Sequence, residues 1–142
     1  MVETRKTSSF SALLTPLYAA ILPFTLWPIE YFFPYPHVVE ELAKALLVTG
    51  LNKHKAAYLI AVCSGLVFAI SESVLYMMNI VATQHISTLG VRLLLTIPLH
   101  AGTTLIMLAF YRFEKNYLTA GVVIAIAIHY LFNLYVVRIN PA

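Results

Sequence analysis

Aspartate is absent from the 142-residue chain. That removes paired-aspartate chemistry inside a membrane and any metal loop built on aspartate. Cysteine is almost absent as well. Cys63 stands alone, which excludes an internal disulfide framework and a cysteine-based zinc site. Charge is scarce: 11% of residues are charged and 61% are hydrophobic, where a soluble domain carries about 25% charged residues. Mean hydropathy is +0.84. A soluble chain this short cannot bury so much apolar surface, because small domains have a high surface-to-volume ratio. The implied solvent is a bilayer, and at about 20 residues per span no more than about five or six spans fit. The basic residues are scattered, so they read as topology signals rather than as a nucleic-acid surface.

What is present organises into apolar segments. The first runs over 10–33 and is preceded by Arg5 and Lys6. It is too long for a signal-peptide core and no small-residue cleavage site follows, so it reads as a retained first span. Pro16, Pro23 and Pro28 predict kinks in it. Phe32 to Pro36 reads as an interfacial turn, and Trp27 suits the headgroup layer. Val38 to Leu51 predicts a short helix with Gly50 and Asn52 as its stop. Ala56 to Ile80, Val91 to Tyr111 and Leu118 to Val137 predict three full spans. Gln84 to Gly90 and Arg112 to Asn116 read as the turns between them. The expected fold is all-α: one transmembrane domain over 1–142, with the irregular first span and a four-helix core over 38–137.

The short helix is the ambiguous one, and charge decides it. If it crosses, Arg5, Lys6, Lys53, Lys55, Arg112 and Lys115 share one side, against Arg92 and Arg138 on the other. If it does not, the split is even. The asymmetric solution follows the positive-inside rule. It gives about five membrane-embedded helices, a cytoplasmic N-terminus and a C-terminus outside.

Ionisable residues inside this apolar frame are costly, at least ~2.5–3.5 kcal/mol each near the bilayer centre, and so point to function. Glu40, Glu41 and Lys44 lie on the second helix. Glu72 lies on the third, His100 on the fourth, and His129 with Asn133 on the fifth. Counted from the outer ends, Glu72, His100 and His129 sit about eight or nine residues in, roughly 12–14 Å deep at ~1.5 Å per residue. Glu40 and Glu41 are shallower, and tilt of the short helix closes the gap. Phe68 and Glu72, Glu72 and Tyr76, His100 and Thr104, and His129 and Asn133 are each i, i+4 pairs that share a face. Gly65 and Gly102 are placed to permit close helix contact.

Each residue also has a plainer reading. Glu40 and Lys44 suit an ordinary i, i+4 salt pair. A single histidine, Asn133 or Thr104 in a span is often an interhelical hydrogen-bond partner. His37, His54 and His85 fall in expected turns and read as solvated. Glu30 reads as exposed or snorkelling at the first interface, and Cys63 as a small apolar residue. It is the agreement of four helices at one depth that outweighs these readings.

Familiar hydrolytic signatures are missing. There is no H-E-x-x-H, no serine elbow and no Gly-rich phosphate loop. What the residues leave is water chemistry run by glutamate and histidine. The ordered set Glu40-Glu41-x-x-Lys44, Gly65-x-x-Phe68-x-x-x-Glu72 with Tyr76, His100, and His129-x-x-x-Asn133 resembles the PrsW-type glutamic intramembrane proteases. These are related to the CAAX prenyl endopeptidases and bacteriocin-processing membrane proteases. The resemblance covers 38–133. Two departures stand out: Ser73 occupies a position usually held by Asn, and the chain is close to the length of a catalytic core alone. The second leaves substrate docking to a partner or a homo-oligomer.

The resemblance implies an intramembrane endopeptidase acting on a membrane-anchored or membrane-adjacent protein or peptide. Glu40 or Glu41 would activate water together with Glu72. His100 would orient the water, and His129 with Asn133 would stabilise the oxyanion. Lys44, Phe68, Tyr76 and Thr104 would support them. Two mechanisms stay open: no cofactor at all, or a divalent metal such as zinc on Glu41, Glu72, His100 and His129. Two other functions also stay open, a non-catalytic scaffold or immunity-type protein of the same fold and a small proton-linked transporter. The expected partners are the bilayer and the substrate, with no nucleic acid.

Overall fold

The computed structural model describes residues 12–51, 54–83 and 86–139. Every regular element among them is helical. In chain order they are α1 (Thr15–Phe32), α2 (Pro36–Thr49), α3 (Ala57–Thr83), α4 (Ile86–Phe113), a 3₁₀ turn (Lys115–Tyr117) and α5 (Leu118–Ile139). Three of these, over Ala57–Met77, Leu93–Phe113 and Lys115–Arg138, are long and apolar enough to cross a membrane. The expected count of about five embedded helices is therefore matched for three; α1 and α2 do not qualify on length and composition.

Several boundaries move. Of the turn expected over 84–90, residues 86–90 are helical, because α4 already begins at Ile86, and the first two lie outside the described residues. Pro16 does not kink α1 but opens it at the first turn, where its missing N–H costs nothing. Pro23 and Pro28 do lie inside that helix. Pro98 lies inside α4, two residues before His100. His85 lies outside the described residues.

The bundle is inside-out relative to a soluble one. Along α2, the buried residues are His37, Glu40, Glu41, Lys44, Ala45 and Val48. Their spacing of three and four defines one helical face. Leu42 and Leu46 point the other way and are 52% and 74% exposed. Leu59, Leu94 and Leu131 on the spanning helices are likewise exposed. A polar face turned inward with leucines turned outward is stable only where the surroundings are apolar.

α3 packs against α1 and α4, α4 packs against α5, and α2 lies across α1, α4 and α5. One end of this body is filled by a dry cluster including Val48, Leu51, Ile60, Met107, Leu108 and Val122. Glu40, Glu41, Glu72, His100 and His129 gather toward the opposite end. Gly65 makes the α3–α4 contact possible. A Cβ there would lie 2.6 Å from both the Ala101 Cα and the His100 carbonyl oxygen. Gly102 has open space within 4 Å, so the close contact expected there does not form; it faces away from α3.

Candidate active site

Four helices converge on a buried polar cluster. Lys44 is its organising cation. Its Nζ donates to Glu41 Oε1 at 2.6 Å and to Thr103 Oγ1 at 3.1 Å, and lies 2.9 Å from His100 Nδ1. An ammonium only donates, so His100 Nδ1 accepts and Nε2 carries the ring proton. That Nε2 lies 2.6 Å from Glu72 Oε2, which accepts the proton. On the far side, His129 Nδ1 lies 2.8 Å from Glu41 Oε1. A carboxylate only accepts, so His129 donates from Nδ1 and keeps a lone pair on Nε2.

The salt pair expected between Glu40 and Lys44 is not the one that forms. Lys44 pairs with Glu41, at i, i+3. Glu40 is buried and lies 3.9 Å from His129 Nδ1. Its Oε2 has no hydrogen-bond partner. The two adjacent glutamates differ in what they face: Glu41 is held through Oε1 by Lys44 and His129 while its Oε2, like Glu40 Oε2, has no hydrogen-bond partner among the described residues, and of the two only Glu40 lines the cavity described below.

The supporting residues separate in the same way. Phe68 is fully buried, with its ring 4.9 Å from that of His100 and 5.1 Å from Lys44 Nζ. It holds both groups in place and excludes water behind them. Thr104 donates to the His100 carbonyl at 2.7 Å, so it caps its own helix backbone rather than reaching the cluster. The Ser73 hydroxyl turns back to the Ala69 carbonyl at 2.7 Å in the same manner. Asn133 is half-buried, and no hydrogen bond joins it to the cluster among the described residues. Tyr76 is half-buried on the wall of a cavity.

That cavity has a volume of about 210 Å³ and is bounded by α1, α2 and α3. Glu40 and Glu72 line it, together with Glu30, Trp27, Tyr31 and Tyr76. Glu41 and His100 sit behind this wall. Three residues of the site were not singled out by spacing. Thr103 stands three residues after His100, and His37 stands four before Glu41, so both carried the face signal used for their neighbours. His37 is buried rather than solvated, with its ring 6.1 Å from that of His129. His54 is also not a free turn residue: its Nδ1 accepts the Ala56 N–H at 3.2 Å. Glu30 is half-buried rather than exposed, and its Oε1 is buried without a partner. Nothing in its local pattern marked it, because the prolines of α1 blur the helical face.

Glu40, His100 and His129 each present one donor atom, all within 4.8 Å of one another. Two imidazoles and one carboxylate form a donor set suited to a divalent ion such as zinc. The partnerless Glu40 Oε2 and the lone pair left on His129 Nε2 fit this use. The Glu41–His129 hydrogen bond is the kind that orients a ligating histidine from behind. Glu41 and Glu72, the other expected ligands, hydrogen-bond to His129 and His100 in this structure. His100 would have to release its Nε2 proton on loading, as metal sites commonly require.

Three helices apolar enough to span, around a buried glutamate–histidine cluster beside a cavity, describe a helical membrane protein with a polar centre. The PrsW family of intramembrane metalloproteases matches residues 10–142, and the chain belongs to that family. No curated protein and no solved structure matches the chain.

Proposed function

We propose that the protein is an intramembrane endopeptidase that hydrolyses a peptide bond of a membrane-anchored or membrane-adjacent protein. The observation that carries this reading is Glu40 Oε2: a buried carboxylate oxygen with no partner, on a residue that lines a cavity beside Glu72. Leaving such an oxygen unsatisfied is costly, and a site built to hold water or an ion at that oxygen accounts for the cost.

In this reading Glu40, His100 and His129 would hold a divalent ion, which when bound supplies Lewis-acid polarisation and a water of lowered pKa. The chain's own residues do the rest. Glu72 faces the cavity and takes the proton of the attacking water. It then returns that proton to the leaving amine, as a general base turned general acid. Before an ion is loaded, the His100 Nε2–H bond to Glu72 sets that carboxylate beside the ion site. Glu41 accepts from His129 Nδ1 and so fixes the ring with Nε2 as its other nitrogen. Lys44 balances the charge of Glu41 and keeps it from competing for the water. Phe68 closes the back of the site. α1 and α2 complete a five-helix embedded body in which α2 crosses, with the N-terminus cytoplasmic and the C-terminus outside. The dry cluster at the other end of the bundle supports hydrolysis over proton transport, because a transporter needs a polar path from side to side.

The test compares membrane-protein N-termini in cells expressing the wild type or Glu72→Gln. New termini that appear with the wild type and vanish with the variant, at equal expression, are expected. Identical sets of termini would refute the assignment.

A further inference from the structure

The cavity has a chemical character that the cluster does not use. Its lining carries three carboxylates, Glu30, Glu40 and Glu72, and no basic residue among the described residues. Lys44 sits behind Glu41 and does not reach it. Two of these carboxylates have a buried oxygen without a hydrogen-bond partner, Oε1 of Glu30 and Oε2 of Glu40. Glu40 is 5% exposed. Trp27, Tyr31 and Tyr76 supply aromatic walls, and aromatic faces attract cations. Glu30 comes from α1 and stands outside the Glu40, His100 and His129 donor set, so an ion held there leaves the Glu30 oxygen unanswered. About seven waters fill 210 Å³ at ~30 Å³ each, which is room for one long side chain and not for a folded segment.

We propose that this cavity is a substrate subsite for a basic side chain, a lysine ammonium or arginine guanidinium, carried by the peptide close to the bond that is cut. Glu30 is its specificity-determining residue. The proposal rests on the protease reading and adds the substrate class. A lipid ammonium headgroup offers similar chemistry. The nanodisc arm of the test below separates the two sources.

Trp27 is the single tryptophan of the chain and lines the cavity, so its fluorescence reports occupancy directly. The probes are a Leu/Ala peptide of about 25 residues, long enough to span, with one lysine near its outer end, and its twin with norleucine there. Binding is followed in the full-length protein carrying Glu72→Gln, so that no peptide is consumed, and in the wild type. The lysine peptide is expected to bind at least about tenfold tighter, equivalent to ~1.4 kcal/mol. Glu30→Gln should abolish the difference, and Glu30→Lys should move the preference to a twin carrying glutamate. Equal binding of the two wild-type probes would overturn the subsite, as would a preference that survives Glu30→Gln. A Trp27 response to phosphatidylethanolamine nanodiscs that no peptide displaces would assign the cavity to lipid and also overturn it. The two readings fail separately. A lysine preference with no wild-type-dependent cleavage removes the protease and leaves the subsite; cleavage without the preference does the reverse.

Discussion

Replacing Gly65 with alanine should damage catalysis far more than it damages the fold. The added Cβ would lie 2.6 Å from the Ala101 Cα and the His100 carbonyl oxygen and 2.7 Å from the Ala101 nitrogen. All three are backbone atoms and cannot swing aside. Carbon contacts need about 3.5–4.0 Å, so α3 and α4 must part by roughly 1 Å. The cost of such overpacking is about 1–3 kcal/mol. Alanine recovers about 1 kcal/mol of helix propensity over glycine, leaving a net loss of about 0–2 kcal/mol. The site feels the displacement differently. Glu72 rides on α3 and His100 on α4, and their bond is 2.6 Å. A further ~1 Å takes it beyond the ~3.2 Å limit of a good hydrogen bond. A misplacement of ~1 Å costs on the order of 10²-fold in rate. Gly102→Ala is the internal control, since nothing lies within 4 Å of its would-be Cβ. The assay pairs thermal unfolding in detergent with kcat/KM on a peptide taken from the wild-type-dependent termini. Gly65→Ala should lower kcat/KM about a hundredfold with a small change in Tm, and Gly102→Ala should leave kcat/KM unchanged while raising Tm slightly, since it gains the helix propensity without the clash. Full activity in Gly65→Ala, or an equal loss in Gly102→Ala, would refute the reasoning.

Two further outcomes follow from the same cluster. Lys44→Met strands the buried Glu41 carboxylate, and losing one partner of a buried pair costs about 3–5 kcal/mol. Thermal unfolding should show the double variant Lys44→Met/Glu41→Gln to be more stable than Lys44→Met alone, and the opposite order would contradict the pairing. Elemental analysis of purified wild type should find about one divalent ion per chain. Glu40→Gln and His129→Ala should lose it, while Glu41→Gln, which only orients His129, should weaken affinity by about 10–100-fold; equal metal in all four proteins would sink the ligand assignment.

Much of the cluster was legible because its residues are expensive where they stand. Glu40, Glu41, Lys44, Glu72, His100 and His129 are ionisable groups in apolar helices, and each helix keeps them at a matching depth. Gly65 was legible for a related reason, as the small residue on the Glu72 face. The division of labour between Glu40 and Glu41 was not. Consecutive residues on a helix point about 100° apart, and Lys44 is within reach of both, at i+4 and i+3. Which one it takes depends on how α2 is rotated against α4 and α5, a tertiary quantity. Glu30 was hidden because prolines at 23 and 28 leave no clean face on α1. His37 was misplaced because Pro36 reads as a turn residue, whereas here it opens a helix and carries His37 inward with the first turn. The span count is matched for three helices, and the other two rest on a different kind of signal. Charge asymmetry speaks about which side loops occupy, not about whether an 18-residue or a 14-residue helix is long and apolar enough to cross.

The single oxygen Oε1 of Glu41 has a consequence for how the protein is made. It gathers Lys44 from its own helix, His129 from α5 and, at 3.4 Å, Thr103 from α4. α5 is the last of these to be synthesised. Until it arrives, His129 is missing, the cluster lacks one of its two imidazoles, and Glu41 holds only part of its final set of donors. The cluster is therefore assembled by tertiary docking rather than by any one helix, and its full hydrogen-bond set exists only once α5 has packed against α2 and α4.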